Sequence, residues 1–204
     1  MTEDVVAQVA AFLGTSTARA RRLARTALPP GFVRSAAAAA THGCPVLVVE
    51  GATDAAVLAP LLGAAAAEPS RGTATPVVLA AGGKHVLPLA AAVVQALGAD
   101  WHVLVDGDAD GWRRAANRSR ARAVHRRSTA GVVRLLPPQR CTVLPDALEA
   151  ELARWPSFVA ALQRHGGELT GPAAKDPARY AAAAAEARTA DAPERLLALR
   201  RSGG

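Results

Sequence analysis

Short β-branched runs alternate with longer apolar segments from residue 45 onward. The runs "PVLVVE" (45–50), "PVVLA" (76–80) and "WHVLVD" (101–106) are predicted strands. The segments "DAAVLAPLLGAAAA" (54–67) and "HVLPLAAAVVQALG" (85–98) lie between them and have helical character. Strands that alternate with helices form a parallel sheet covered by helices on both faces. The pattern therefore predicts an α/β fold with a mostly parallel, Rossmann-like sheet.

The flanking segments add helices and two shorter strands. A basic helix is predicted at 112–127, strands at 132–136 ("VVRLL") and 141–144 ("CTVL"), and a helix at 146–155.

The first residues have a different pattern. Residues 1–28 are predicted to be helical up to a break at "LPPG", because proline ends helices, and 35–41 form a short helix or a linker. We therefore expect an N-terminal helical extension at 1–42 and an α/β domain with C-terminal helices at 43–204.

The charge balance is basic and comes almost entirely from arginine. The 204 residues contain 24 Lys+Arg against 17 Asp+Glu, a formal net charge of +7. Such a balance favours polyanionic partners such as nucleic acid. Only Lys84 and Lys175 are lysines, and a compact ammonium group cannot always be replaced by a guanidinium group. No basic leader or apolar run of membrane-spanning length is present, so we expect a cytoplasmic protein without membrane contact.

Acidic residues follow several of the predicted strands. Glu50 ends the first strand and Asp54 opens the next helix, Asp106 and Asp108 follow the third strand, and Glu149 follows the run at 141–144. Ligands of open parallel sheets bind at the carboxyl ends of the strands, where these side chains would converge. Oxygen ligands of this kind suit Mg²⁺ or Mn²⁺. The sequence thus predicts a divalent-metal site at this edge.

The same motifs resemble the Toprim domain of the OLD (overcoming lysogenisation defect) family of nucleases. The resemblance is carried by "VLVVEGATDAAVLAPLL", "VVLAAGGKHVLPLAAAVVQALG", "VLVDGDADG" and "VLPDALEAEL". It implies a two-metal hydrolysis or nicking of DNA phosphodiester bonds, with two ions about 3.5–4 Å apart.

The resemblance also assigns roles to individual residues. It implies metal binding by Glu50, Asp54, Asp106, Asp108 and Glu149, with Glu50 also catalytic. Lys175 matches the distal catalytic lysine of the family, although its surroundings are less distinctive.

The chain departs from that family in one motif. OLD proteins usually carry an ATPase domain, but the phosphate-binding pattern G-x-x-x-x-G-K-[ST] is not found here. We therefore expect either a stand-alone Toprim domain or an ATPase partner acting in trans. The sequence leaves undecided whether the protein forms a homodimer.

Basic and glycine residues give candidates for contact with DNA. Gly83 and Lys84 either bind phosphate at a helix N-terminus or form a tight turn. Arg114, Arg118 and Arg122 lie at successive i+4 positions and form one stripe, which either contacts the DNA backbone or is a solvated helix face.

Two other functions are compatible with the motifs. In a phosphatase of the haloacid-dehalogenase type, Asp106 would be the nucleophile, but that fold normally uses its first strand for the motif and leaves Glu50 without a role. A non-catalytic Toprim subunit that binds nucleic acid is the second alternative.

Overall fold

A parallel β-sheet forms the centre of the molecule. In the computed structural model, residues 1–64, 74–107, 129–170 and 175–199 are described. Within these ranges the strands are β1 (Val46–Val49), β2 (Val77–Ala80), β3 (Trp101–Val105) and β4 (Cys141–Val143). Their order is β2-β1-β3-β4 and every pair is parallel. The predicted α/β fold class is confirmed.

Helices surround this sheet and precede it along the chain. They are α1 (Glu3–Leu13), α2 (Thr17–Thr26), α3 (Phe32–Thr41), α4 (Ala52–Ala64), α5 (Leu87–Ala96), α6 (Leu148–Leu152), α7 (Pro156–Arg164), α8 (Pro177–Glu186) and α9 (Glu194–Ala198). None of the helices in the described ranges has the length and apolar character needed to cross a membrane.

The sheet separates two apolar cores because successive side chains of a strand point to opposite faces. Val46 and Val48 of β1 belong to a buried cluster with helices α1, α2, α3 and α5. Leu47 and Val49 belong to a second cluster with α4, α6, α7 and α8. All four side chains are at most 2% exposed. Burial on both faces explains why the strand is continuously apolar rather than alternating.

The N-terminal segment forms two capped helices rather than one. Gly14 ends α1 in the left-handed conformation, with φ 59°. Ser16 begins α2, and its hydroxyl accepts a hydrogen bond from the Arg19 backbone N–H at 3.3 Å. The predicted helical stretch 1–28 is thus divided at 14–16. Helices α1 and α3 pack against α5, which lies on the sheet, while the boundary at residue 42 stays a prediction.

The predicted strand at 132–136 is wrong. Residues 129–133 are helical and 134–136 form a turn. Val132 and Leu136 are both 4% exposed, whereas Leu135 is 53% exposed. Buried positions four residues apart fit a helical face, and a short apolar run cannot be assigned by composition alone. The predicted basic helix at 112–127 lies outside the described residues.

Candidate metal and phosphate site

The first two acidic residues meet because β1 and β3 are adjacent and parallel. Glu50 directly follows β1 and Asp106 directly follows β3, so both lie at the carboxyl edge of the sheet. The backbone N–H of Asp106 donates to Oε1 of Glu50 at 3.2 Å. This hydrogen bond fixes the glutamate side chain against the neighbouring strand end.

Gly107 allows the chain after β4 to approach this edge closely. A Cβ atom at residue 107 would overlap the carbonyl oxygen of Leu144. The Gly107 N–H donates to the carbonyl oxygen of Asp146 at 3.2 Å. One oxygen of Asp106, Oδ1, then accepts from the backbone N–H of Leu148 at 3.1 Å. Because Leu148 opens α6, the positive end of the helix stabilises the Asp106 carboxylate.

Asp54 faces the same edge from the first turn of α4. Its Oδ2 accepts from the Gly51 backbone N–H at 2.8 Å, which resembles one half of a capping box. Burial raises the pKa of Asp54, and the Gly51 hydrogen bond opposes this effect. The negative charge of Glu149 raises the pKa further, while Lys175 lowers it. A bound cation would oppose this rise in pKa, because a nearby positive charge favours the ionised carboxylate.

Glu149 and Lys175 form an ion pair beside Asp54. The ammonium Nζ of Lys175 lies 2.9 Å from Oε1 of Glu149. Burial alone would lower the pKa of Lys175, but the hydrogen bond to Glu149 and the charges of Glu149, Asp54 and Asp106 outweigh it and raise the pKa. Lys175 is therefore charged and belongs to the electrostatic environment of all three carboxylates.

The backbone of Lys175 is held in an unusual conformation. Its φ is 67°, the left-handed region that a non-glycine residue seldom adopts. The hydroxyl of Thr53 donates to the Lys175 carbonyl oxygen at 3.2 Å. Thr53 was not predicted from the sequence, since 122 residues separate the partners. Its position next to Asp54 is the only sequence signal that could have suggested it.

Lys84 lies beneath the acidic edge rather than on its surface. Nζ of Lys84 donates to the Asp106 carbonyl oxygen at 2.7 Å and to Oγ1 of Thr129 at 3.3 Å. It also lies 3.5 Å from Oε1 of Glu50, and its side chain is 9% exposed. Of the two predicted roles, these contacts favour a structural one within the turn that Gly83 precedes. Thr129, which also donates to Asp106 at 3.3 Å, was missed by the sequence analysis.

Four predicted site residues lie outside the described residues: Asp108, Arg114, Arg118 and Arg122. Across 1–64, 74–107, 129–170 and 175–199, no group of three or more His, Cys, Asp or Glu side chains could hold a metal ion. The described acids are instead arranged around two lysines. Lys84 contacts the Glu50 side chain and the Asp106 backbone, and Lys175 pairs with Glu149.

The donor chemistry of this edge fits a hard divalent cation. Glu50, Asp54, Asp106 and Glu149 offer carboxylate oxygens, the ligand type that Mg²⁺ and Mn²⁺ prefer. The lysines at 84 and 175 balance part of the negative charge. The described residues thus supply ligands of the right chemical type without forming a complete metal-binding group among themselves.

Comparison with known proteins agrees with this geometry. Residues 45–108 match the family model of the overcoming lysogenization defect protein-like Toprim domain. No curated protein and no solved structure gives a significant match. The matched stretch runs from β1 through α4, β2, α5 and β3 to the Asp-x-Asp motif. Toprim domains are of the metal-binding nucleotidyl-transfer and nuclease type and typically bind divalent metals. The resemblance drawn from the motifs is thus confirmed over residues 45–108, the stretch that matches the OLD-like Toprim domain.

Proposed function

We propose that the protein is a divalent-metal-dependent nuclease that hydrolyses or nicks phosphodiester bonds of DNA. The observation that carries the proposal is the hydrogen bond from Asp106 to Glu50 across adjacent strand ends. It sets two of the predicted metal ligands side by side, with Asp54, Glu149 and two lysines at the same edge.

Each of the chain's own residues has a role in this proposal. Glu50, Asp54, Asp106 and Glu149 would hold Mg²⁺ or Mn²⁺ together with Asp108, which lies outside the described residues. When bound, the ions would activate water and stabilise the leaving oxygen. Lys84 would hold the Glu50 side chain and the Asp106 backbone in position through its buried ammonium group. The ammonium group of Lys175, which pairs with Glu149 at the same edge, would stabilise negative charge on a phosphate oxygen.

The experiment is a cleavage assay on supercoiled and linear DNA with Mg²⁺, Mn²⁺, Ca²⁺ or EDTA. We expect nicking or degradation with Mg²⁺ or Mn²⁺ and none in EDTA. Asp106→Asn should abolish cleavage, because the amide still accepts from Leu148 but is a poor metal ligand. Asp100→Asn is the matched control, since Asp100 lies before β3 at the opposite edge and pairs with Arg140. Cleavage that survives in EDTA would disprove the proposal.

A non-catalytic binding subunit is the second candidate, favoured by the lack of a three-carboxylate group among the described residues. It predicts DNA binding without cleavage under any metal. Hydrolysis of small phosphomonoesters with intact DNA would instead support the phosphatase alternative. That alternative is disfavoured by strand order, because the Asp-x-Asp motif follows β3 and Glu50 already follows β1.

A further inference from the structure

The turn between α2 and α3 packs directly against the candidate site. A Cβ atom placed on Gly82 would lie 3.3 Å from Cγ of Pro29 and 3.9 Å from the carbonyl oxygen of Ala27. The Gly82 N–H donates to the carbonyl oxygen of Glu50 at 3.0 Å. The N-terminal turn therefore contacts Gly82, whose backbone N–H is hydrogen-bonded to the backbone of Glu50, a predicted metal ligand.

This packing is continuous with the core. Leu28 and Phe32, on either side of the turn, are 8% and 4% exposed and share a buried cluster with Val46 and Val48 of β1. The N-terminal helices are thus attached to the same face of the sheet by buried apolar contacts, so their position relative to the carboxyl edge is fixed.

The helices that flank the turn carry exposed positive charge. Residues 1–42 contain five arginines against two carboxylates, Glu3 and Asp4. Arg21 pairs with Glu3. The other four arginines are exposed, and none of them pairs with a carboxylate of the described residues: Arg19, Arg22, Arg25 and Arg34.

Two of these arginines lie close to the turn along the chain. Arg25 precedes Pro29 by four residues, and Arg34 follows Gly31 in the first turn of α3. Both line one open groove of about 870 Å³ together with Pro29 and Pro30. Both charges therefore border the turn whose Pro29 contacts Gly82.

We propose that α2, α3 and their turn form a phosphate-backbone-binding surface for the DNA that the adjacent carboxylate site would cleave. This inference rests on the proposed function for its substrate. Arginines without a carboxylate partner among the described residues suit phosphate groups, which they contact in a fork geometry without reading base sequence. The acidic edge itself repels a polyanion, so a substrate of the site needs cations beside it. The N-terminal surface supplies them from a segment that the Toprim match does not cover.

The test compares two triple variants with equal loss of charge. The first is Arg22→Gln, Arg25→Gln and Arg34→Gln on the N-terminal surface. The matched control is Arg154→Gln, Arg164→Gln and Arg188→Gln, whose arginines are exposed on the C-terminal side, where α7 packs on the other face of the sheet. Binding of a short labelled duplex is measured in EDTA over a range of salt concentrations, which separates binding from metal chemistry.

We expect the N-terminal variant to flatten the slope of log K against log salt by about 2–3 units, at roughly 0.9 per phosphate contact. The control should keep the wild-type slope. Equal slopes for both variants and the wild type would overturn the inference, even if the wild type cleaves DNA with Mg²⁺. A flattened slope in a protein that never cleaves would uphold the binding surface and disprove the nuclease proposal.

Discussion

Lys84 donates a 2.7 Å hydrogen bond from its ammonium group to the backbone carbonyl oxygen of Asp106. The same nitrogen lies 3.5 Å from the Glu50 carboxylate. Lys84 follows β2, whereas Glu50 and Asp106 follow β1 and β3, so one side chain connects the ends of three strands. Its side chain is 9% exposed. In the proposed nuclease, Lys84 would therefore be a positioning residue that acts through the two acidic residues.

Replacement of Lys84 by Met should uncouple the strand ends. Methionine keeps most of the apolar stem of the side chain but leaves the Asp106 carbonyl oxygen without this donor and Glu50 without this cation. Loss of a hydrogen bond from a charged group costs about 1.5–3 kcal/mol, and cleavage should fall by at least about tenfold. Chemical denaturation and cleavage kinetics measure the two effects. His85→Gln, at the exposed next residue, is the control, and wild-type cleavage by Lys84→Met would contradict the assignment.

Replacement of Lys175 by Arg tests whether the shape of this cation matters. The variant keeps the positive charge beside Glu149 but replaces a compact ammonium with a broad planar group. We expect cleavage to fall by about tenfold or more, the effect of misplacing a preorganised charge, with DNA affinity unchanged. Kinetics and binding are measured on one preparation. Cleavage at the wild-type rate would show that Lys175 takes no part in the chemistry.

Replacement of Thr53 by Val should impair cleavage through Lys175. The variant keeps the side-chain shape but removes the hydroxyl that holds the Lys175 carbonyl oxygen at 3.2 Å. A neutral hydrogen bond contributes about 0.5–1.5 kcal/mol, so the cleavage rate should fall by about three- to tenfold. Thr53→Ser restores the hydroxyl and should recover activity. Equal rates for the Val and Ser variants would exclude a role for this contact.

Replacement of Gly82 by Ala should cost more stability than replacement of Gly98 by Ala. Both glycines have left-handed backbones, with φ 90° and 84°. The backbone strain of about 1–2 kcal/mol is therefore similar. A Cβ at Gly98 meets nothing within 4 Å, whereas one at Gly82 meets Pro29 at 3.3 Å. We expect a further loss of about 1 kcal/mol at Gly82 from overpacking, measured by chemical denaturation. Equal losses of stability would mean that Pro29 and its turn shift to accommodate the added methyl group without a loss of folding free energy.

Acidification should destabilise the protein through His102. This residue is 5% exposed, and its Nδ1 finds no hydrogen-bond partner in the described ranges. Burial lowers its pKa below 6.5, and the charge of Arg140 lowers it further. The unfolded chain therefore takes up a proton first, so stability is full above about pH 6.5 and falls below it, by up to about 1.4 kcal/mol per pH unit.

Denaturation midpoints between neutral and mildly acidic pH measure this loss. His102→Gln should flatten the pH dependence, because its amide can still reach Thr142, the 2.8 Å partner of His102 Nε2, but does not titrate. His42→Gln, at an exposed position, should keep the wild-type dependence. A curve for His102→Gln that parallels the wild type would assign the effect to other groups.

The difference between sequence and structure is clearest at the acidic edge. Glu50 and Asp106 could be predicted to converge because each follows an apolar β-branched run, and parallel strands end at one edge. The hydrogen bond between them joins residues 56 positions apart. Predicting it would have required only one further fact, that β1 and β3 are neighbours in the sheet. The roles of these residues stay predictions, as do those of Asp108, Arg114, Arg118 and Arg122.

The amino-acid sequence by itself determined the parallel α/β architecture, the edge that carries the acids and the Toprim resemblance, because strand and helix preferences are local and repeat along the chain. Only the tertiary structure decided that Lys84 lies beneath the acids, that Thr53 holds Lys175 and that Pro29 packs on Gly82. It also decided that Val132 lies on a helical segment and Leu136 in the turn that follows it. These relationships depend on which elements pack together across long separations, and a local pattern of residues contains no information about that packing.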